Sequence, residues 1–256
     1  MGCSTPTVSG AREGLDLMFG DLRVMGLVPV LDEEQKIGLV VERVPDFVDH
    51  VLVVDDGSTD GSATVARDKG AEVIELGRTL GVGAALRTGF EYAVANGFDV
   101  VVVMAGNNKD SPEEIPLLLT KVVEDGADLV QGSRWLGDGE DFGHMPAYRK
   151  VATRLHPFLF NLISPVKLTD TTNGFRAVTT RLLSDLAEDL KQPWLDEYEL
   201  EVYLLYKAAK QGYAIGEVGV TKRYPPKSLG QTKMKPITGW WSILRPLVLL
   251  GFRLKR

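Results

Sequence analysis

Short runs of apolar, mostly β-branched residues alternate with amphipathic segments through the first half of the chain. Unbroken runs of this kind are typical of strands that are buried on both faces of a parallel sheet. The segments between them have apolar residues at helical spacing and end at turn residues. This alternation predicts an α/β fold with a mostly parallel, doubly wound sheet up to residue 134. The predicted strands are residues 24–30, 51–54, 72–76, 100–104 and 128–131.

The second half of the chain is less regular. It contains a glycine- and acid-rich loop and a polar turn between its predicted helices, and it ends in a basic loop and an apolar segment. We expect one domain over residues 23–236, after a flexible leader at residues 1–22. The predicted elements are helices at 148–163 and 197–211, a polar turn at 169–175, a strand at 215–221 and a basic loop at 222–236.

Polar residues follow three of the predicted strands, at Asp55-Asp56, at Asn107 to Asp110 and at Ser133-Arg134. The carboxyl ends of parallel strands meet at one edge of a sheet, where α/β proteins bind their ligands. After the second cluster, Ser111-Pro112-Glu113-Glu114 predicts a helix start with Ser111 as N-cap and Glu114 in a capping box. We therefore expect a binding site built from these three clusters.

Charge is distributed unevenly along the 256 residues, whose formal net charge is −6. Residues 222–256 hold nine lysines and arginines and no acid, which leaves 20 basic and 35 acidic side chains elsewhere, a net charge of −15. A nucleic-acid-binding domain is not expected from a main fold this acidic. The basic tail instead suits phosphates or an anionic membrane surface.

The last twenty residues, 237–256, combine Trp240 and Trp241 with an apolar run and terminal cations. The run is interrupted by Arg245-Pro246 and is too short to cross a bilayer comfortably. Two alternatives stay open: an amphipathic helix lying in the membrane interface, or a helix packed on the protein body or on another subunit. The single cysteine, Cys3, and the absence of a signal-peptide pattern favour a cytoplasmic location, with the tail peripheral on the cytoplasmic face of a membrane.

Two weaker patterns carry little information by themselves. Gly81-x-Gly83 lacks the further residues of a phosphate-binding loop, and glycines at a helix start often serve packing alone. The three histidines, His50, His144 and His156, have no metal-ligand spacing. We treat the histidines as structural or solvated.

The order of the polar clusters resembles family 2 glycosyltransferases of the GT-A fold, especially the branch that transfers sugars to dolichyl or polyprenyl phosphate. The match covers about residues 24–235. It rests on Val54-Asp55-Asp56-Gly57-Ser58-Thr59-Asp60, with support from the Pro29 to Glu33 segment, Gly132-Ser133-Arg134, Asp170 to Arg176, and Lys227-x-x-Gly230-x-Thr232-Lys233.

The resemblance implies an inverting transferase whose donor is a UDP- or GDP-sugar. It divides the domain into a nucleotide-sugar half at 23–134 and an acceptor half at 135–236. The donor-binding residues it implies are Pro29, Val30, Glu33, Asp55, Asp56, Asn107 and Lys109, with Lys227 and Lys233 closing over the diphosphate.

The chain departs from the family at its metal motif, because the Asp-x-Asp position reads Ala105-Gly106-Asn107. Three alternatives follow. Mg²⁺ or Mn²⁺ is held by Asn107 with Asp110 or Asp56; or Lys109 neutralises the diphosphate without a metal; or the domain is inactive. The survival of the other motifs argues against the last.

The acceptor implied by the resemblance is a polyprenyl phosphate, bound by Arg134 and Arg149. A hydroxyl acceptor would instead need a carboxylate base, for which Asp196 and Glu199 are the candidates. An acidic first helical turn is also favoured by the helix dipole alone. A non-catalytic nucleotide-sugar-binding partner is the third alternative, and the sequence leaves the sugar and the oligomeric state open.

Overall fold

Strands and helices alternate along most of the chain. The computed structural model describes residues 19, 21–136, 145, 147–224, 238–252 and 254. The strands are β1 (Val24–Val30), β2 (His50–Asp55), β3 (Glu72–Glu75), β4 (Val100–Val103), β5 (Leu129–Ser133), β6 (Arg176–Thr179) and β7 (Ile215–Gly219). The helices are α1 (Glu34–Glu42), α2 (Ser62–Asp68), α3 (Val82–Ala95), α4 (Ile115–Asp125), α5 (Ala147–Ile163), α6 (Thr180–Asp185), α7 (Ala187–Leu190), α8 (Glu199–Gln211) and α9 (Thr238–Gly251).

The seven strands form one sheet in the order β3-β2-β1-β4-β6-β5-β7. All neighbours pair in parallel except β6, which is antiparallel to both β4 and β5. The predicted mostly parallel sheet is confirmed, and the carboxyl ends of β1, β2, β4 and β5 meet at one edge. The sequence missed β6, a four-residue strand that directly follows the predicted polar turn.

Both faces of the sheet are covered, which explains why the strands are apolar throughout. In β1, Met25 and Leu27 pack in the layer that contains α3 and the helices α5 to α9. Val24, Val28 and Val30 point the opposite way and pack with α1, α2 and α4. Each fully buried side chain of this size contributes about 1.5–3 kcal/mol relative to exposure.

The helix start after β4 differs from the prediction. Ser111 makes no side-chain cap, and Pro112–Glu114 forms a 3-10 turn before α4 begins at Ile115. Glu114 does not reach back to the turn, because its carboxylate accepts hydrogen bonds from Thr221 N (2.7 Å) and Thr221 Oγ1 (2.6 Å). The predicted capping box is therefore wrong, and Thr221, in the segment after β7, is the hydrogen-bond partner of the Glu114 side chain.

The C-terminal helix α9 packs on α5 and α8. Ile243, Leu247 and Leu250 are buried, whereas Trp241 and Phe252 are exposed. One of the two predicted alternatives is therefore observed: one face of this helix packs on the protein body. No helix in the described ranges is long and apolar enough to cross a membrane.

Most of the predicted leader, residues 1–18 and 20, lies outside the described residues. Phe19, within the predicted leader, is buried and packs against Phe47 with a ring-centroid distance of 5.6 Å. The sheet itself includes β6 and β7 from the second half of the chain, so the two halves share one sheet.

Candidate active site

A cavity of about 620 Å³ opens at the carboxyl edge of β1 and β4 and is closed on the other side by α5, α8 and α9. Nine of the residues predicted for the site line it, whereas Asp55, Asp110 and Asp196 do not. Lys227 and Lys233 lie outside the described residues. The nine lining residues are Pro29, Val30, Glu33, Asp56, Asn107, Lys109, Arg134, Arg149 and Glu199.

The two aspartates after β2 have different positions. Asp55 is buried below the cavity, and its Oδ1 accepts the backbone N–H of Ser58 (2.8 Å). Asp56 lies at the cavity wall and accepts the backbone N–H groups of Leu80 (2.7 Å) and Gly81 (3.0 Å). Burial raises the pKa of Asp56, and these two hydrogen bonds oppose that rise. Asp56 thus fixes the start of α3 at the cavity wall, and Asp55 stabilises the turn that follows β2.

The glycines at the start of α3 serve close packing, as expected. A Cβ on Gly83 would lie 2.0 Å from the carbonyl oxygen of Leu195, and one on Gly81, whose φ is +108°, would lie 2.2 Å from that of Asp196. The N–H of Ala84 donates to the same Asp196 oxygen (3.1 Å). Because these glycines have no side chain, the segment before α8 can approach the start of α3 closely at the cavity wall.

The acidic segment before α8 divides into inward and outward side chains. Asp196, predicted as a candidate base, lies outside the cavity, where its Oδ1 is 2.5 Å from Arg87 Nη2. Glu199 faces the cavity; its Oε1 is 3.4 Å from Arg245 Nη1, and its Oε2 is buried with no hydrogen-bond partner in the structure. Burial raises the pKa of Glu199. Of the two predicted carboxylates, only Glu199 lines the cavity.

Arg134, predicted to bind acceptor phosphate, is largely committed to the protein. Its Nε lies 2.6 Å from Asp170 Oδ2, and its Nη2 donates to Asp170 Oδ1 (2.8 Å) and to Thr172 Oγ1. Its Nη1 donates to the hydroxyl oxygen of Tyr224 (3.0 Å). Burial alone would favour the neutral form of Asp170, but the charge and hydrogen bonds of Arg134 outweigh it and lower the pKa of that carboxyl. Arg134 therefore holds the wall of the cavity together.

The residues at the family's metal position do not fit a divalent cation. Ala105 and Gly106 offer no side-chain oxygen, and the Asn107 oxygen accepts the backbone N–H of Lys109 (3.3 Å). Asp110, the predicted second ligand, accepts from Ala105 N (3.0 Å) and pairs with Lys222 Nζ (2.5 Å). Across the described ranges, no group of three or more His, Cys, Asp or Glu side chains could hold a metal ion. Asp56, the alternative second ligand, accepts the backbone N–H groups of Leu80 and Gly81 with its carboxylate oxygens. Mg²⁺ is usually held by one or two carboxylates together with substrate phosphates, and here both candidate carboxylates are engaged by the protein.

Cations concentrate around Tyr224 instead. Lys109 Nζ lies 5.5 Å from the centroid of its ring and the Arg149 guanidinium lies 5.9 Å from it. The pKa of Lys109 is lowered to about 8 by burial first, then by the charges of Lys222 and Arg149. Lys109 and Arg149 thus both place positive charge at this part of the cavity wall.

Sequence reasoning missed several residues of the cavity wall. Lys222, Tyr224 and Arg245 line it, but only Lys222 follows a signal in the sequence, the end of a predicted strand. Arg176 is buried and pairs with Glu201 at 3.0 Å. These residues come from loops, a helix and the start of β6 in the second half, whose approach to the first half has no local sequence pattern.

Comparison with known proteins identifies the family. The model of glycosyl transferase family 2 matches residues 27–186. The chain therefore belongs to glycosyl transferase family 2 and is a glycosyltransferase. Of the motifs that predicted this family, all lie within the matched region except the one from Lys227 to Lys233.

Three relatives match over most of their length. The chain is 34% identical to an undecaprenyl-phosphate mannosyltransferase of Micrococcus luteus, over 83% of this chain and 88% of the relative. It is 30% identical to a polyprenol monophosphomannose synthase of Mycolicibacterium smegmatis, over 88% and 86%. It is 31% identical to a dolichyl-phosphate hexose transferase of Haloferax volcanii, over 90% and 93%.

Solved structures confirm the predicted GT-A-type fold. The glucosyl-3-phosphoglycerate synthase of Mycobacterium tuberculosis superposes with a TM-score of 0.67 at 22% identity, covering 94% of this chain and 84% of that one. The same enzyme in complex with Mg²⁺ and UDP gives a TM-score of 0.63 at 21% identity, covering 97% and 86%. At this level of sequence identity, the structural similarity is evidence for the fold alone.

Proposed function

We propose that the protein transfers a sugar from a UDP- or GDP-sugar to a polyprenyl phosphate, with inversion at the anomeric carbon. The names of the three relatives all specify a lipid-phosphate acceptor, which supports this choice. An oxygen of the acceptor phosphate attacks the anomeric carbon as the bond to the nucleoside diphosphate breaks. That oxygen is already ionised, so no strong base is required.

The observation that carries the acceptor assignment is the surface of α5 beside the cavity. Its side chains Arg149 and Thr153 line the cavity, while its opposite flank exposes an apolar stripe at helical spacing. Exposed apolar stripes of this size are unusual on proteins that contact only water. The stripe consists of Tyr148, Val151, Leu155, Phe158 and Leu162.

The C-terminal helix α9 continues this arrangement. Trp241 lines the cavity and is 55% exposed, and Val248 and Phe252 are exposed further along the helix. His156 of α5 and the carbonyl oxygen of Ile243 of α9 are hydrogen-bonded at 3.2 Å, which joins the two helices. A lipid chain lying along these helices would bring its phosphate to the cavity.

The charges of α5 and α9 complement an anionic bilayer. Besides the cavity residue Arg149, α5 carries Lys150 and Arg154 and no acid over Ala147–Ile163, and α9 carries no acid over Thr238–Gly251, where its one cation, Arg245, lines the cavity. Apolar and basic side chains together are the composition of an interfacial helix. We therefore infer that this surface, which we call the α5–α9 surface, binds the cytoplasmic face of a membrane.

Within the cavity we assign the donor to the β1–β4 side and the acceptor to the α5–α9 side. Glu33, whose Oε2 is 2.7 Å from Lys36 Nζ, is the candidate contact of the nucleoside. Arg149, on α5, is the candidate contact of the acceptor phosphate, since guanidinium suits phosphate recognition. Arg134 positions this wall through Asp170.

Sedimentation with vesicles tests the membrane assignment. The wild type should co-sediment with vesicles that contain anionic phospholipid and much less with neutral ones. A Leu155→Ser, Phe158→Ser double variant should lose most of this binding, together with transfer to vesicle-embedded polyprenyl phosphate. The matched control is Leu117→Ser, Val123→Ser on α4, two exposed apolar residues on the other side of the sheet. Equal sedimentation of both double variants would contradict the assignment.

Glu199 supports a second candidate, transfer to a hydroxyl acceptor. Its carboxylate faces the cavity, and burial raises its pKa, as suits a general base. If the acceptor is a hydroxyl, Glu199→Gln should lower kcat by about 10²–10⁴-fold. If it is a phosphate, the same variant should retain activity within about tenfold, because no proton has to be removed. Parallel assays with polyprenyl phosphate and with a soluble alcohol glycoside separate the two candidates.

A further inference from the structure

The loop between β4 and the 3-10 turn is held by its own polar groups. Asp110 accepts the N–H of Ala105 (3.0 Å), and Asn107 accepts that of Lys109 (3.3 Å). Asn108 has a φ of +55°, and its side-chain oxygen accepts from Arg43 Nη1 (2.7 Å). The side-chain oxygens of Asn107, Asn108 and Asp110 are thus engaged, and Lys109 lines the cavity.

A second lysine reaches the same loop from the end of β7. Lys222 Nζ lies 2.5 Å from Asp110 Oδ1 and donates to Asn173 Oδ1 (3.0 Å). The Asp110 side chain is almost fully buried in this pair. An ammonium group therefore occupies the coordination sphere that Asp110 would offer to a metal ion.

Lys109 differs from Lys222, whose charge is balanced by Asp110. It lines the cavity, and no carboxylate of the described chain lies within ion-pair distance of it. Its Nζ lies over the ring of Tyr224, whose hydroxyl oxygen accepts from Arg134. The face of the ring stabilises the ammonium group by a cation–π interaction at the cavity wall.

We propose that Lys109, held beside the Asp110–Lys222 pair, binds the diphosphate of the donor in this protein, and that donor binding requires no divalent cation. This inference rests on the proposed function. It gives Lys109 the electrostatic task that a metal ion performs at an Asp-x-Asp motif: neutralising the diphosphate as it accumulates charge. The ligand class is a nucleoside diphosphate.

Calorimetric titration of the full chain with UDP and with GDP tests the proposal without any assay of transfer. The wild type should bind one of them with the same Kd, within about twofold, in EDTA and in MgCl₂. Lys109→Gln should weaken that binding at least about tenfold, as expected for loss of a charge-assisted hydrogen bond. Lys109→Arg should restore it to within about threefold. Lys121→Gln, an exposed lysine of α4 paired with Asp125, should bind like the wild type.

The outcomes separate this inference from the proposed function. Binding that weakens tenfold or more in EDTA, or that is unchanged in Lys109→Gln, would overturn the inference and leave the transferase proposal standing. Absence of binding of both nucleotides under both conditions would overturn the two together. Thermal melting of each variant shows whether lost binding reflects lost folding.

Discussion

Arg134 and Asp170 form a buried two-armed ion pair at the wall of the cavity, with Nε–Oδ2 at 2.6 Å and Nη2–Oδ1 at 2.8 Å. Both side chains are almost fully removed from solvent. The backbone N–H of Arg134 also donates to Asp170 Oδ2 (3.1 Å). The pair joins the end of β5 to the turn before β6, so two motifs 36 residues apart in sequence act as one structural unit.

Asp170→Asn should destabilise the protein by about 3–5 kcal/mol, because it leaves the Arg134 charge buried without a partner. Urea denaturation followed by circular dichroism measures the change. Asp125→Asn removes one partner of an exposed pair with Lys121 and should leave the denaturation midpoint unchanged. Equal midpoints for wild type and Asp170→Asn would contradict the structural role of the pair.

Gly83→Ala should destabilise the protein by about 1–3 kcal/mol, the usual range for overpacking. The added methyl group would lie 2.0 Å from a backbone oxygen, which cannot move away as a flexible side chain could. Because the displaced segment leads into Glu199, nucleotide binding or transfer should also fall. Gly216→Ala on β7, where the new contacts would be 3.6 Å, is the control and should behave like the wild type.

Nucleoside diphosphate affinity should decrease as pH rises through about 8. The pKa of Lys109 is lowered to about 8, and the anion binds the protonated lysine, so affinity is highest below that pH and falls by up to about tenfold per unit above it. Calorimetric titrations from pH 6.5 to 9.5 measure the dependence. Lys109→Arg should remove it, since arginine stays charged; persistence of the slope in that variant would assign it to another group. The groups that influence Lys109 are Lys222, Arg149, Glu33 and Lys36.

Stability should decrease as pH falls from 6.5 towards 4 because of His156. Burial lowers its pKa to about 4, so below pH 6.5 the unfolded chain binds a proton that the folded chain does not. The loss between pH 7 and pH 5 should be about 2 kcal/mol. His156 is hydrogen-bonded to Thr171 Oγ1 (2.6 Å) and to the Ile243 carbonyl oxygen (3.2 Å). Urea denaturation at the two pH values measures the loss, and His156→Gln should reduce it; an unchanged loss in that variant would contradict the assignment.

Local sequence patterns predicted the central strands of the sheet. The valine run at Val100–Val103 and the apolar run at Val24–Val30 became central strands, because residues without polar alternation must be covered on both faces. The four-residue strand Arg176–Thr179 escaped prediction, because its position in the sheet depends on pairing with β4 and β5. Glu114 was misassigned for a similar reason: its partner, Thr221, is 107 residues away.

Sequence by itself determined the family and the chemistry offered to the site: two aspartates after β2, an arginine after β5, and an Asp-x-Asp position without its acids. Tertiary structure decided which of these groups face the cavity. Asp196 and Glu199 were equivalent candidates in sequence, but Arg87 holds one outside while the other points inward. Lys222 and Asp110 are 112 residues apart in sequence, and their contact, rather than any motif, engages the Asp110 carboxylate that was predicted as a metal ligand. Such pairings arise from the packing of distant segments, and no local pattern of residues encodes them.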